Sequence, residues 1–185
     1  VSSISDYNKT KMVSERILLS YKDKFKLQIL RPATVCGVSP RMRFDVAVNL
    51  LTIQALTSGE ITVLGGTQIR PNVHIEDITD AYMHFIHKPD LTGIYNVGFE
   101  NLSVLEIANM IVEVVPAKIK VIKSNDPRSY RVDSTKILNS GFVPTKNVLD
   151  SILQIKKLYE EGTLENKMEF NNLLWMQNQG LANVD

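Results

Sequence analysis

Apolar residues recur along this chain with two periods, that of a helix and that of a strand. Helical spacing predicts helices at residues 6–22, 45–58, 77–87, 104–115 and 148–161, with short ones at 134–139 and 170–177. Short apolar runs predict strands at residues 25–30, 61–64, 72–75, 93–98 and 118–122. Because strands and helices alternate, the pattern favours an α/β fold in which the strand at 25–30 is buried and parallel to its neighbour.

Local signals set several of these boundaries. Gly59 and Gly162 directly follow predicted helices, as glycine commonly does at a helix C-terminus. Ser103 and Glu106 have the spacing of a capping box, in which each residue satisfies a backbone N–H of the other. The segment 32–43 contains two prolines and a glycine, and we expect a loop there.

Composition narrows the classes of function. The chain has 185 residues, enough for one domain with a core, and its 21 Lys and Arg nearly balance 20 Asp and Glu. This balance gives no reason to expect nucleic acid or an anionic membrane as a partner. No apolar run approaches the roughly 20 residues that span a bilayer. The single cysteine excludes an internal disulfide and fits a reducing compartment, so we expect a cytoplasmic protein.

Tyr7 and Lys11 are the first candidates for chemistry. They are four residues apart on a predicted helix, so their side chains share one face. An adjacent ammonium group favours the phenolate form of a tyrosine. A phenolate can exchange a proton with a hydroxyl or carbonyl group of a substrate. Taken alone, the same spacing is also typical of an ordinary solvated helix face.

Two further stretches extend this pattern, residues 31–37 (RPATVCG) after an apolar strand and residues 70–77 (RPNVHIED). In this order the three motifs resemble the extended short-chain dehydrogenases/reductases, specifically the NAD-dependent epimerase/dehydratase family that acts on nucleotide sugars. The resemblance covers roughly residues 5–160 and only the later part of such a protein, because no Gly-x-x-Gly-x-x-Gly follows an N-terminal strand. We therefore expect a partial chain that is inactive without its cofactor-binding half.

The resemblance implies the C-terminal part of a doubly wound, Rossmann-like parallel sheet plus a smaller mixed α/β substrate domain. Residues 1–37 and about 70–98 would end the Rossmann-like domain, and about 38–69 and 99–185 would mainly bind the substrate. Ligands in such folds lie at the carboxyl ends of the strands. In the family, the helix with the tyrosine and lysine packs across a two-fold axis, so the resemblance makes a homodimer plausible.

The resemblance also implies roles for five residues near the cofactor. Tyr7 is expected to be the general acid/base, and Lys11 to assist it and to hydrogen-bond the nicotinamide ribose. The backbone of Pro32 and Ala33 is expected to approach the nicotinamide. Thr34 stands where the family usually has an asparagine, and it is expected to face the sugar with a shorter hydrogen-bonding side chain.

Three more residues are implied as contacts of the nucleotide sugar. The amide of Asn49 would bind the diphosphate near a helix start, with a solvent-facing asparagine as the alternative. Arg70 would contact the phosphate or ribose of the nucleotide, because a guanidinium binds phosphate through two hydrogen bonds. Arg128 would be a second contact of this kind, with a charged surface loop as the alternative. No metal is expected, since His74 has no second ligand at suitable spacing, and Cys36 is interpreted as a small buried residue.

These implied roles describe an NAD- or NADP-dependent enzyme that oxidises a hydroxyl group of a nucleotide sugar, expected at C4. The residues that decide between epimerase, dehydratase and reductase, and between the two cofactors, lie outside this chain in the family. The alternative is a catalytically silent protein of the same fold that binds a nucleotide sugar or a dinucleotide.

Overall fold

The computed structural model describes residues 6–124 and 129–181 of the chain. The strands are β1 Gln28–Pro32, β2 Thr34–Cys36, β3 Glu60–Leu64, β4 Ile69–His74, β5 Gly93–Val97, β6 Glu100–Ser103 and β7 Lys118–Ile122. The helices are α1 Asp6–Ser20, α2 Ala47–Ser58, α3 Ile75–His87, α4 Val104–Val114, α5 Thr135–Leu138, α6 Val148–Glu160 and α7 Asn172–Asn178, with a 3-10 turn at Met168–Phe170. The α/β class is therefore confirmed.

The described strands form three small sheets. β1 pairs with β5 and β3 pairs with β7, both in parallel. The third sheet has the order β2-β4-β6, in which β2 is parallel and β6 antiparallel to β4. Because β2 follows β1 after a single residue, Ala33, the chain passes directly from one sheet into the next at this point.

The β2-β4-β6 sheet lies between two hydrophobic cores. Alternate residues of a strand point to opposite faces, and on β2 the side chain of Val35 packs with the core of β1, β5 and α3. The next residue, Cys36, packs with the core formed by α2, α4, α6 and β3. This arrangement places the turn between β1 and β2 at the boundary of the two cores.

Helix caps follow the local sequence closely. The expected capping box of Ser103 and Glu106 is present at the start of α4. A second capping box, formed by Asn147 and Asp150, begins α6. Gly59 ends α2 with φ of 65°, a left-handed conformation that only glycine adopts at little cost.

Two acidic side chains attach the start of α6 to α3 and β6. Buried Asp77 accepts hydrogen bonds from the backbone N–H of Thr145 at 2.8 Å and of Lys146 at 3.2 Å. Glu100 accepts one from the backbone N–H of Val148 at 2.6 Å. Burial raises the pKa of Glu100, and the hydrogen bond from Val148 opposes this shift. The N–H groups of the segment before α6 thus find acceptors on α3 and β6.

Several expected elements differ in extent or burial. The strand expected at residues 25–30 begins only at Gln28, its residues are half-buried or exposed, and Phe25 is exposed. Strands β2 and β6 lie in segments without a strand pattern, and each exists because β4 pairs with it. Helix α3 begins two residues earlier than expected, because the side chain of His74 caps it by accepting from the N–H of Glu76.

Helix α1 forms where its spacing predicts, but it buries none of its residues. Met12 and Leu19 are half-buried, whereas three other apolar side chains and that of the following tyrosine are 42–56% exposed: Val13, Ile17, Leu18 and Tyr21. No residue of α1 therefore belongs to one of the hydrophobic cores.

No helix in the described part of the chain combines the length and the hydrophobicity that crossing a membrane requires.

Candidate active site

Pro32, Ala33 and Thr34 are the expected site residues that lie at the turn between β1 and β2. Pro32 ends β1 opposite Val97 of β5, and the backbone N–H of Ala33 donates to the carbonyl of Val97 at 2.8 Å. The chain of β5 continues into Gly98, where an added Cβ would lie 2.5 Å from the Cβ of Ala33. Since no two such carbons approach so closely, glycine at position 98 is what lets β5 lie against this turn.

Thr34 and Arg70 lie on neighbouring strands of the β2-β4-β6 sheet. Thr34 begins β2 and pairs in register with Asn72 of β4, two residues after Arg70. Both Thr34 and Arg70 are half-buried. Ser129, the first described residue after position 128, accepts a hydrogen bond from the N–H of Ile69 at 3.0 Å. The loop that follows residue 128 therefore approaches the strand of Arg70.

Tyr7 and Lys11 share one exposed face of α1. The Nζ atom of Lys11 lies 5.4 Å from the centre of the Tyr7 ring, and Tyr7 is 67% exposed. A cation at this distance from the face of an aromatic ring is attracted to it. The geometry therefore leaves the phenol accessible with an ammonium group beside it.

An ion pair connects α1 to the end of β1. The side chain of Arg31 binds both carboxylate oxygens of Glu15, with Nε to Oε2 at 2.8 Å and Nη2 to Oε1. The hydrogen bond to Glu15 raises the pKa of Arg31. Such bidentate pairs have a defined orientation, so this contact orients the helix of Tyr7 relative to the turn at Pro32.

Asn49 lies inside the fold. It is 3% exposed, so the alternative of a solvent-facing asparagine is wrong. Its Oδ1 accepts from the N–H of Gly37 at 3.1 Å, and its Nδ2 donates to the carbonyls of Gly37 at 3.4 Å and Arg43 at 3.2 Å. In this arrangement Asn49 holds the loop between β2 and α2, and its contact with a diphosphate stays a prediction.

Arg128, the second expected phosphate contact, lies outside the described residues. Asp133, five residues further along the chain, has partners in the structure. Asp133 accepts from the backbone N–H of Thr135 at 2.8 Å and from its hydroxyl at 2.6 Å, just before α5, whose N-cap position is taken by Ser134. These two hydrogen bonds lower the pKa of Asp133.

Asn72 and Asp77 are the residues that sequence reasoning missed. Both are polar and fully buried, with 0% exposure. The signal for Asn72 was weak, since it is an uncharged polar residue at the start of a predicted strand whose burial the sequence did not indicate. Asp77 resembled an ordinary acidic residue in the first turn of a helix, and nothing near it in sequence shows its partners at positions 145 and 146.

Cys36 is 1% exposed, which confirms its interpretation as a small buried residue. The hydroxyl of Ser151 donates to its sulfur at 3.1 Å. Burial raises the pKa of this thiol to about 11. A thiol that stays protonated at neutral pH is a poor nucleophile.

The shifted thiol predicts a loss of stability in alkali. Cys36 has a pKa of about 11 in the folded state against 9.0 for an unperturbed thiol, so folding favours the protonated form. Its contribution is complete below pH 9 and is lost as the pH rises towards 11, by about 3 kcal/mol in total. We expect urea unfolding at pH 8 and pH 10.5 to show a larger loss for the parent chain than for Cys36→Ala. Equal losses would contradict the assignment.

The chain matches known proteins over most of its length. A family model described as the NAD dependent epimerase/dehydratase family matches residues 1–98. UDP-glucose 4-epimerase of Lactobacillus helveticus is 26% identical over 180 residues, which cover 83% of this chain and 54% of that protein. The chain thus spans about half the length of this curated relative.

Solved structures agree with this match. UDP-glucuronic acid 4-epimerase from Bacillus cereus, in complex with UDP-glucuronic acid and NAD, has a TM-score of 0.69 and 27% identity, covering 86% of this chain and 58% of that one. dTDP-glucose 4,6-dehydratase from Bacillus anthracis, in complex with NAD, has a TM-score of 0.75 at 20% identity, covering 94% and 56%. The second likeness shows the fold alone.

Proposed function

This chain belongs to the NAD-dependent epimerase/dehydratase family, and on that premise we propose that it carries the acid–base pair and the substrate-binding part of a nucleotide-sugar enzyme. The reaction would oxidise a hydroxyl group of the sugar, at C4, to a ketone. The main support is the combination of the family match with an exposed phenol that has an ammonium group on the same helix face. The whole protein would be an epimerase, dehydratase or reductase.

The residues at the proposed cofactor end fit a nicotinamide nucleotide. Tyr7 and Lys11 are exposed on one helix face, where both would contact the nicotinamide ribose. Pro32 and Ala33 offer an uncharged surface where β1 ends, and the carboxyl ends of parallel strands are where such folds bind ligands. When bound, NAD or NADP supplies the acceptor for the hydride of the carbon that bears the reacting hydroxyl.

The chain's own residues would handle the proton and the substrate. Tyr7 would take the proton of the sugar hydroxyl as general base, and Lys11 would assist it from the same helix face. Arg70 would bind a phosphate of the nucleotide, Thr34 would face the sugar, and Arg128 would add a second phosphate or ribose contact. For Asn49 to bind the diphosphate, its amide would have to release a hydrogen bond to the loop between β2 and α2.

Membership of the family also implies how the chain is divided into domains. We propose that residues 1–37 and about 70–98 complete a cofactor domain, and that about 38–69 and 99–185 mainly bind the substrate. Val73, Phe85 and Val97 belong to the first group and share one hydrophobic core, which supports this division. Phe142 belongs to the second group and packs into the same core, so the two groups are in contact there. The chain would act in the cytoplasm, where its one buried thiol is compatible with reducing conditions.

A homodimer is also part of the proposal. The exposed apolar side chains of α1 support it, because a helix without buried residues gains stability when its apolar face is covered. Sedimentation of the chain over a range of concentrations tests it, and a monomer at every concentration would count against it.

Binding of a nucleotide sugar tests the proposed function. UDP-glucose, dTDP-glucose and GDP-mannose are added to the 185-residue chain, and its melting temperature is measured against glucose as a control. A ligand at 100 times its Kd stabilises the folded state by about 2.7 kcal/mol, which is roughly 5–10 °C for a chain of this size. We expect such a shift with at least one nucleotide sugar.

Arginine variants make this test specific. Arg70→Ala is expected to remove most of the shift, because it removes the proposed phosphate contact. Arg16→Ala, which deletes an exposed arginine on α1, is the matched control and should retain the shift. A shift that is absent with all three nucleotide sugars, or unaffected by Arg70→Ala, would count against the assignment.

A further inference from the structure

Asn72 has a buried oxygen without a partner. Its side chain lies on β4 with 0% exposure, and Oδ1 has no hydrogen-bond partner in the described structure. The other end of the amide is occupied, since Nδ2 donates to the carbonyl of Arg70 at 2.8 Å. This bond defines which end of the amide carries the oxygen. Buried acceptors without a hydrogen bond are rare in folded proteins because they raise the free energy of the folded state. We therefore expect Oδ1 of Asn72 to have a hydrogen-bond donor.

The position of Asn72 indicates what that donor is. Asn72 is the register partner of Thr34, so the two side chains project from the same face of the sheet on strands about 4.8 Å apart. Arg70 lies two residues earlier on the same strand and therefore on the same face. Asn72 thus lies between the residue proposed to face the sugar and the residue proposed to bind the phosphate.

We propose that Asn72 is a specificity-determining residue whose Oδ1 accepts a hydrogen bond from a hydroxyl group of the sugar. The inference rests on the proposed function. The hydroxyl of Thr34 completes the contact by donating to the same sugar oxygen, since a hydroxyl group both donates and accepts. Thr34 and Arg70 are half-buried and Asn72 is covered, so the proposed contact requires side-chain movements of the kind common on binding.

The test compares each nucleotide sugar with its own nucleoside diphosphate. The 185-residue chain is titrated by calorimetry with UDP-glucose and with UDP. If another of the three nucleotide sugars binds instead, it and its nucleoside diphosphate are used. Each variant then has two dissociation constants. We expect Asn72→Leu to weaken nucleotide-sugar binding about tenfold and to change diphosphate binding less than twofold. Removing one hydrogen bond and leaving the ligand's group unpaired has an effect of this size.

Variants at position 34 keep the test decisive where Asn72→Leu does not fold. Thr34→Val is expected to weaken nucleotide-sugar binding in the same selective way, and Thr34→Ser to restore it. Thr52→Val is the matched control, because the Thr52 hydroxyl is buried and bonds only within α2, to the carbonyl of Val48 at 2.7 Å.

The outcomes separate this inference from the proposed function. An equal loss for nucleotide sugar and diphosphate means that Asn72 acts by holding the backbone of Arg70, and it overturns the inference alone. The absence of any selective loss overturns it as well. If the unsubstituted chain binds neither ligand of any pair, the proposed function is contradicted, and so is the inference that rests on it.

Discussion

Tyr7→Phe is expected to lower turnover of the nucleotide sugar by about 10²–10⁴-fold, the usual contribution of a positioned general acid or base. The substitution removes only the hydroxyl that would exchange the proton. Its effect on folding should be small, because Tyr7 is 67% exposed and α1 buries none of its residues. Substrate affinity should change little, so the loss should fall on kcat. The measurement uses the natural polypeptide that contains these 185 residues.

Tyr21→Phe is the matched control for this prediction. Tyr21 directly follows α1 and is 51% exposed, so the same atom is removed from a similar environment without the lysine four residues later. It should leave turnover within twofold of the parent. Unchanged turnover in Tyr7→Phe, with Tyr21→Phe also unchanged, would show that the proton is transferred by another group.

Asp77→Ala is expected to lower the free energy of unfolding by about 3 kcal/mol, which corresponds to a melting temperature about 6–12 °C lower. Asp77 is fully buried, and its carboxylate accepts from the N–H groups of Thr145 and Lys146. Alanine would leave both N–H groups without this acceptor and an unfilled space where the buried carboxylate packs. Urea unfolding measures the loss directly.

A neighbouring acid on the same helix provides the control. Asp80 is exposed on α3, and Asp80→Ala is expected to change stability by less than about 0.5 kcal/mol. Asp77→Asn should fall between the two, because it keeps one acceptor oxygen but turns an NH2 group towards a backbone donor. A loss below 1 kcal/mol for Asp77→Ala would mean that the segment before α6 finds other acceptors.

Local sequence determined the parts of the fold that depend on neighbours in the chain. The capping box of Ser103 and Glu106, the glycine that ends α2 and the bounds of β7 agree with the structure. The shared face of Tyr7 and Lys11 follows from helical spacing alone. The family could be recognised because its motifs are short and continuous, and the match over residues 1–98 agrees with that recognition.

Other features depend on residues far apart in sequence, and only the tertiary structure decided them. Strand β2 exists because β4 pairs with it, and this register brings Thr34 beside Asn72. The helix pattern of α1 gave no indication that its apolar face would remain exposed. The partners of Asp77 lie 68 and 69 residues away. Spacing along a chain determines periodicity and caps, whereas strand register and the pairing of buried polar groups depend on how distant segments pack.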